Sequence, residues 1–207
     1  MTEEIKSLTP ERFWELYADK LDEAGKDPKT HEDYQDKTKW TETIMEVAKG
    51  VIYDMLRDLP NDGQPEVDQE SFRIDLVGYT TKWPEEMKKK KEERQHDWGL
   101  KVAYEHENSD EWDDELCKLC HVVADLRVIS SYYDFSKEEQ IEDLLQQRVK
   151  KLGMWRIHRV PNSQWLFVFG PCCVCEEEPF RAFTIDSELK VVEITGDKKV
   201  IPGEWRK

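Results

Sequence analysis

Ser71-Phe72-Arg73-Ile74-Asp75-Leu76-Val77-Gly78-Tyr79-Thr80 and, after a charged interval, Leu100-Lys101-Val102-Ala103-Tyr104-Glu105-His106-Glu107-Asn108 are the stretches on which the fold turns. Both alternate at period two with β-branched and aromatic residues, the mark of a pleated strand. In the first, Phe72, Ile74, Leu76 and Gly78 alternate with Arg73, Asp75, Val77 and Tyr79; in the second, Val102, Tyr104 and His106 point one way and Lys101, Ala103, Glu105 and Glu107 the other.

Outward from these strands the pattern changes to helical spacing. Before them, Thr9-Pro10 predicts a helix start, followed by Phe13, Leu16, Tyr17 and Leu21; a second helix is predicted from Lys39 to Leu59 on Ile44, Val47, Ala48, Val51, Ile52, Met55 and Leu56. After them, a helix is expected over about Glu111 to Asp125, with Leu116, Leu119, Cys120, Val123 and Ala124 on one stripe. A strand follows over Leu126 to Tyr133, then a helix from the capping box Ser136/Glu139 to about Leu152. Strands are predicted at Met154 to Val160, Trp165 to Phe169, Phe180 to Ile185 and Leu189 to Ile194, the first two forming a hairpin across Pro161 to Gln164. The charged segment from Trp83 to about Gln95 reads as an exposed helix and an insertion.

Strands separated by helices predict an α/β protein with residues 71–80, 100–108 and 126–133 as neighbours in one sheet. One unit over 1–207 is expected: N-terminal helices over 1–60, a core over 39–134, and C-terminal strands over 154–194. Eight Trp, seven Tyr and seven Phe supply the buried area for such a core although 37% of the residues are charged.

The formal charge of −15 disfavours a nucleic-acid partner without excluding one, since Lys88 to Lys91 form a basic block and Arg148, Lys150 and Lys151 a looser patch. A protein partner stays open. No run approaches the roughly 20 apolar residues of a membrane span, and the N-terminus lacks the pattern of a secretion signal. A cytoplasmic location and no membrane partner are expected. Five cysteines, an odd number, argue against a disulfide framework. Cys117-x-x-Cys120 and Cys172-x-x-Cys175, with Cys173 and His121, formally match a zinc spacing; the first pair lies on an apolar helix, so Cys117 and Cys120 are expected to be buried and zinc is not expected. Trp165, Phe167 and Phe169 could stack nucleobases, but core packing is the default for one aromatic strand face.

At period two Glu105 and Glu107 share a face, and Asp75 on a neighbouring strand would bring three carboxylates together. Like charges at short range need a proton or a cation between them. Oxygen ligands suit Mg²⁺ or Mn²⁺, and such a site could support phosphodiester hydrolysis. An acidic sheet edge that meets water is the alternative.

The order of these pieces resembles the restriction-endonuclease-like PD-(D/E)xK superfamily. The likeness covers about residues 39–134 and rests on a helix carrying Glu46, Phe72 to Val77, Val102 to Asn108, and Ala124-Asp125-Leu126-Arg127-Val128-Ile129. It implies a three-layer α/β/α sandwich on a mixed central sheet, and a Mg²⁺- or Mn²⁺-dependent nuclease or a non-catalytic interaction protein that keeps the fold. It further implies Asp75 and Glu105 as metal ligands, Glu46 as the acidic residue of the first core helix, and Glu107 where lysine is usual. Lys118, on the following helix, would supply a relocated ammonium. No Pro precedes Asp75, and the gap from Asp75 to Glu105 is long, two departures that bear on catalysis more than on fold.

Overall fold

The fold is described from a computed structural model, which covers residues 8–27, 29, 34, 36–60, 63–71, 73–81, 99–109, 111–135, 140–155, 164–172 and 177–205. Helix α1 spans Pro10–Gly25; Thr9 caps it by accepting from the Arg12 N–H at 3.2 Å, and Pro10 fills the first turn, where no backbone donor is needed. Helix α2 spans Lys37–Arg57, with the Asp36 carboxylate accepting from Thr38 and Lys39. Then follow β1 (Gln64–Ser71), β2 (Ile74–Thr81), β3 (Gly99–His106), α3 (Asp113–Cys120), β4 (Leu126–Tyr133), α4 (Ile141–Trp155), β5 (Gln164–Pro171), β6 (Arg181–Ile185), β7 (Val191–Glu193) and a 3₁₀ turn at Pro202–Glu204.

All seven strands lie in one mixed sheet in the order of the chain. The steps β1–β2–β3 and β5–β6–β7 are antiparallel, and β3–β4–β5 are parallel. Parallel neighbours need crossovers, and α3 and α4 supply them. Because both crossovers advance in the same direction across the sheet, a constant hand puts both helices on the same face.

On that face Val77, Ala103, Ile129, Trp165, Phe167, Phe169 and Phe183 pack with Trp112, Leu116, Leu119, Leu145 and Val149. The opposite face presents Leu76, Val102, Tyr104, Leu126, Val128, Leu166 and Val168 to α1 and α2. Helix α2 approaches so closely that a Cβ on Gly78 would stand 2.3 Å from Ile52 Cγ2, which explains a glycine in a central strand. Arg127 is fully buried yet satisfied in part by two bonds to the Val122 carbonyl, at 2.9 and 2.6 Å, with its guanidinium over the Trp165 ring.

The predicted neighbours 71–80, 100–108 and 126–133 are β2, β3 and β4, and Trp165, Phe167 and Phe169 are core. Several expectations need correction. Strand β1 is missing from the sequence reading, because both its faces are polar and mostly exposed, and so the period-two signal fails at this sheet edge. No strand begins at Met154: α4 continues through Trp155, and β5 pairs in parallel with β4 and antiparallel with β6 instead of forming a hairpin with its predecessor. The expected remainder of that strand, the Ser136/Glu139 capping box, and the charged segment with Lys88 to Lys91 lie outside the described residues. Helix α3 stops at Cys120, which leaves Val123 69% exposed instead of on an apolar stripe. No helix among the described residues is long and apolar enough to cross a membrane.

Candidate carboxylate site

Strand pairing builds the site. Leu76 faces Tyr104 and Val77 faces Ala103 in the antiparallel β2–β3 ladder, so the next step brings Asp75 opposite Glu105. Both side chains rise on the α3 face. Asp75 Oδ2 accepts the backbone N–H of His106 at 2.8 Å, which fixes one carboxylate oxygen at the end of the ladder. Glu105 is 1% exposed, and the Lys118 ammonium on α3 stands 3.0 Å from its Oε1. This contact is an ion pair off the hydrogen-bonding direction; Oε1 is buried and has no hydrogen-bond partner.

Burial lifts the Glu105 carboxyl to about 7; Lys118 pulls against that rise, and the neighbouring Asp75 charge adds to it. Burial also works against the charge on Lys118, but Glu105, Asp75 and Glu115 together hold its pKa above the usual lysine value. The centre thus brings two carboxylates and one ammonium together, with Asp75 and Lys118 acting in opposite directions on the Glu105 carboxyl.

Glu107 stands apart. Strand β3 ends at His106, the Glu107 N–H donates to the Ser130 carbonyl at 2.9 Å, and its half-buried side chain acts on Glu115, whose carboxyl is raised by burial first and by Glu107 as well. Among the described residues no group of three His, Cys, Asp or Glu side chains is placed to hold a metal ion. Glu46 is also not brought in: it lies on α2, against the opposite sheet face, 72% exposed and 4.0 Å from Lys49. Its surroundings are a groove of Lys20, Tyr53, Asp54 and the β1 residues Glu66 and Asp68.

Sequence reasoning missed Glu115 and the side chains beneath Asp75. Glu115 precedes Lys118 by three residues on α3, a spacing that could have linked it to any lysine in the site. Beneath the centre, on the α2 face, the His106 ring joins Ser130 and Asn108, and burial lowers the imidazole to about 4, so that it stays neutral. Of the cysteines, Cys120 is buried as expected but Cys117 is only half-buried; both are free, as is Cys172, while Cys173 and Cys175 lie outside the described residues.

No protein-family model, no curated protein and no solved structure matches this chain at a significant level. What can be stated from the chain itself is its class: a mixed α/β protein with helices against both faces of a seven-stranded sheet.

Proposed function

We propose that this protein is a restriction-endonuclease-like, divalent-metal-dependent hydrolase of phosphodiester bonds, with its centre at Asp75, Glu105 and Lys118. The observation that carries the reading is the buried Glu105 carboxylate beside Asp75, with one oxygen lacking a hydrogen bond and an ammonium at 3.0 Å. A buried carboxyl beside a second carboxylate is costly in a purely structural role and is suited to ligation. Asp75 and Glu105 would hold Mg²⁺ or Mn²⁺, hard cations that prefer carboxylate oxygens, and Glu107 joins only through a change of side-chain placement. When bound, the ion supplies Lewis acidity toward a phosphoryl oxygen.

The chain's own groups fit complementary tasks. Lys118 offers positive charge to an anion developing above Glu105. Without metal the Glu105 carboxyl is raised to about 7, so a divalent cation that binds there would displace a proton at neutral pH. The His106 N–H holds Asp75 in one orientation. Helices against both faces of the sheet and this pair on adjacent strands support the reading.

A second reading, a non-catalytic interaction protein with the same frame, draws support from the charge of −15 and from the acidic first turn of α3, Asp113, Asp114 and Glu115, next to the centre. The two separate in one experiment: cleavage of labelled DNA and RNA oligonucleotides, single- and double-stranded, with Mg²⁺ or Mn²⁺. Hydrolysis that falls at least about a hundredfold in Asp75→Asn, Glu105→Gln and Lys118→Met supports the enzyme. Absence of cleavage in the wild type, or equal rates in all four proteins, favours the interaction reading.

A further inference from the structure

The residues under the centre form an ordered chain that the hydrolase reading does not use. On the α2 face, His106 Nδ1 is 2.6 Å from Ser130 Oγ and Nε2 is 3.2 Å from Asn108 Oδ1. Tyr104 OH lies 2.6 Å from the same Ser130 Oγ, and Thr41 Oγ1 on α2 donates to Asn108 Oδ1 at 2.9 Å. With Asn108 Oδ1 as acceptor, the hydrogen-bond inventory allows one direction: Nε2–H donates to Asn108, Nδ1 accepts from the Ser130 hydroxyl, and Ser130 accepts from Tyr104. The Tyr132 ring meets the imidazole edge-on, with centroids 5.6 Å apart. Both ring nitrogens are therefore engaged, and the ring is held by side chains from β3, β4 and α2.

The backbone of the same residue points the other way. Its N–H donates to Asp75 Oδ2 just beyond the paired residues of β2 and β3, while on the other edge His106 stays paired with Ser130 of β4 and the next N–H, of Glu107, donates to the Ser130 carbonyl. On the β2 side, where Asp75 stands in for the ladder, the anchors of the ring add to this pairing in limiting how the peptide turns. We propose that His106 is a positioning residue: its ring, anchored through Ser130 and through Asn108 to Thr41, sets the peptide N–H that orients the Asp75 carboxylate on the far face of the sheet. The inference rests on the proposed centre for its functional meaning, but its structural content can be tested without any metal. It also makes α2 a support of the centre from the opposite face, the role that Glu46 does not fill.

The test uses the full chain and two readouts. The first is hydrogen exchange of the His106 amide by NMR, without metal; the second is calorimetric titration with Mn²⁺. Asp75→Ala removes the acceptor and serves as the reference for a released amide. Ser130→Ala is expected to speed His106 amide exchange about tenfold relative to neighbouring amides of β3 and to weaken Mn²⁺ binding about tenfold, as loss of an outer support does; Ser130→Thr, which keeps the hydroxyl, restores both. Thr41→Val, at the half-buried end of the chain, gives a smaller change of the same sign with Thr41→Ser as its rescue, and it carries the test if Ser130→Ala does not fold. Unchanged His106 exchange in Ser130→Ala and Thr41→Val, with acceleration in Asp75→Ala, overturns the inference. If the wild type binds no Mn²⁺, the metal-centre reading falls, and the exchange data alone then decide the positioning role in the same way.

Discussion

Replacing Glu105 with Gln keeps the side-chain volume while removing the only charge in the centre that is fully enclosed. In the folded protein the carboxyl is lifted from 4.5 to about 7, chiefly by burial. A raised folded-state value means that the native protein binds the proton more tightly than the unfolded chain. The contribution of Glu105 to stability is thus fully present below about 4.5 and is lost as pH rises through about 7. At about 1.4 kcal/mol per tenfold change in proton affinity, the loss amounts to roughly 3 kcal/mol between pH 4.5 and 8. Lys118 is 36% exposed, so leaving it without its anion costs little, about 1 kcal/mol or less. Relative to wild type, Glu105→Gln should therefore gain on the order of 2–3 kcal/mol between pH 5 and pH 8. Urea unfolding of both proteins in chelator, at half-unit pH steps, measures this difference directly, and titrating groups that do not interact with Glu105 cancel in it. A difference that is flat with pH would refute the reasoning, since it would mean that Glu105 is no harder to ionise inside the protein than outside. Repeating the pH 8 measurement with Mn²⁺ adds the link to function: ligand that binds only the native state stabilises by mass action, and the wild type should gain where Glu105→Gln does not.

His106 provides the opposite pH signature. Its imidazole is depressed by burial to about 4, so its contribution is present above the ordinary value of 6.5 and is lost as pH falls toward 4. The Glu105 and His106 windows overlap with opposite sign, so wild-type stability should vary little between pH 4.5 and 6.5, whereas His106→Gln, left with the Glu105 contribution alone, should gain stability as pH falls over that range; a steep wild-type profile paralleled by both variants contradicts this. Gly78→Ala tests the packing of α2 on the sheet: a Cβ at 2.3 Å from Ile52 Cγ2 and 3.1 Å from Leu56 Cδ1 forces a shift, and about 2 kcal/mol of stability should be lost in chemical denaturation. Ile52→Ala, which removes the clashing Cγ2 methyl, should cost less stability in the Gly78→Ala background than in the wild type.

The parts of this fold that were legible in the sequence are those where periodicity and burial agree. β2 and β3 alternate as they pack, with Leu76 and Tyr104 toward α2 and Val77 and Ala103 toward α3, whereas the meeting of Asp75 with Glu105 depends on the register of the two strands, which spacing left as a condition. β1 was hidden because an edge strand needs no buried face: Gln64, Glu66, Asp68 and Glu70 satisfy its exposure and erase its pattern. The end of α3 was misread because Val123 and Ala124 continue an apolar helical stripe, although the chain leaves the helix at His121 and only Ala124 returns to the core. Glu107 lies one residue past the end of β3, and its N–H still donates to the Ser130 carbonyl of β4.

The position of the centre within the sheet also bears on how a phosphodiester would be recognised. Asp75 opens β2 and Glu105 nearly closes β3, so both lie at the end where β3, β4 and β5 finish, the carboxyl end at which α/β sheets hold their ligands. The chain segment that carries Lys88 to Lys91 leaves from Thr81 and returns at Gly99, at the other end of the same strands. Six residues separate Thr81 from Asp75, about 20 Å of strand. Among the described residues, the cation at the carboxylates is already engaged: Lys118 with Glu105. An extended polyanion draws much of its affinity from many phosphate contacts and the counterions they release. Under the proposed hydrolase reading, a centre with one ammonium at hand among the described residues, and an acidic helix turn beside it, would rely instead on local ligation of the phosphate that reacts, which makes Lys118 and the Asp75–Glu105 pair the residues on which the choice between hydrolase and interaction protein depends.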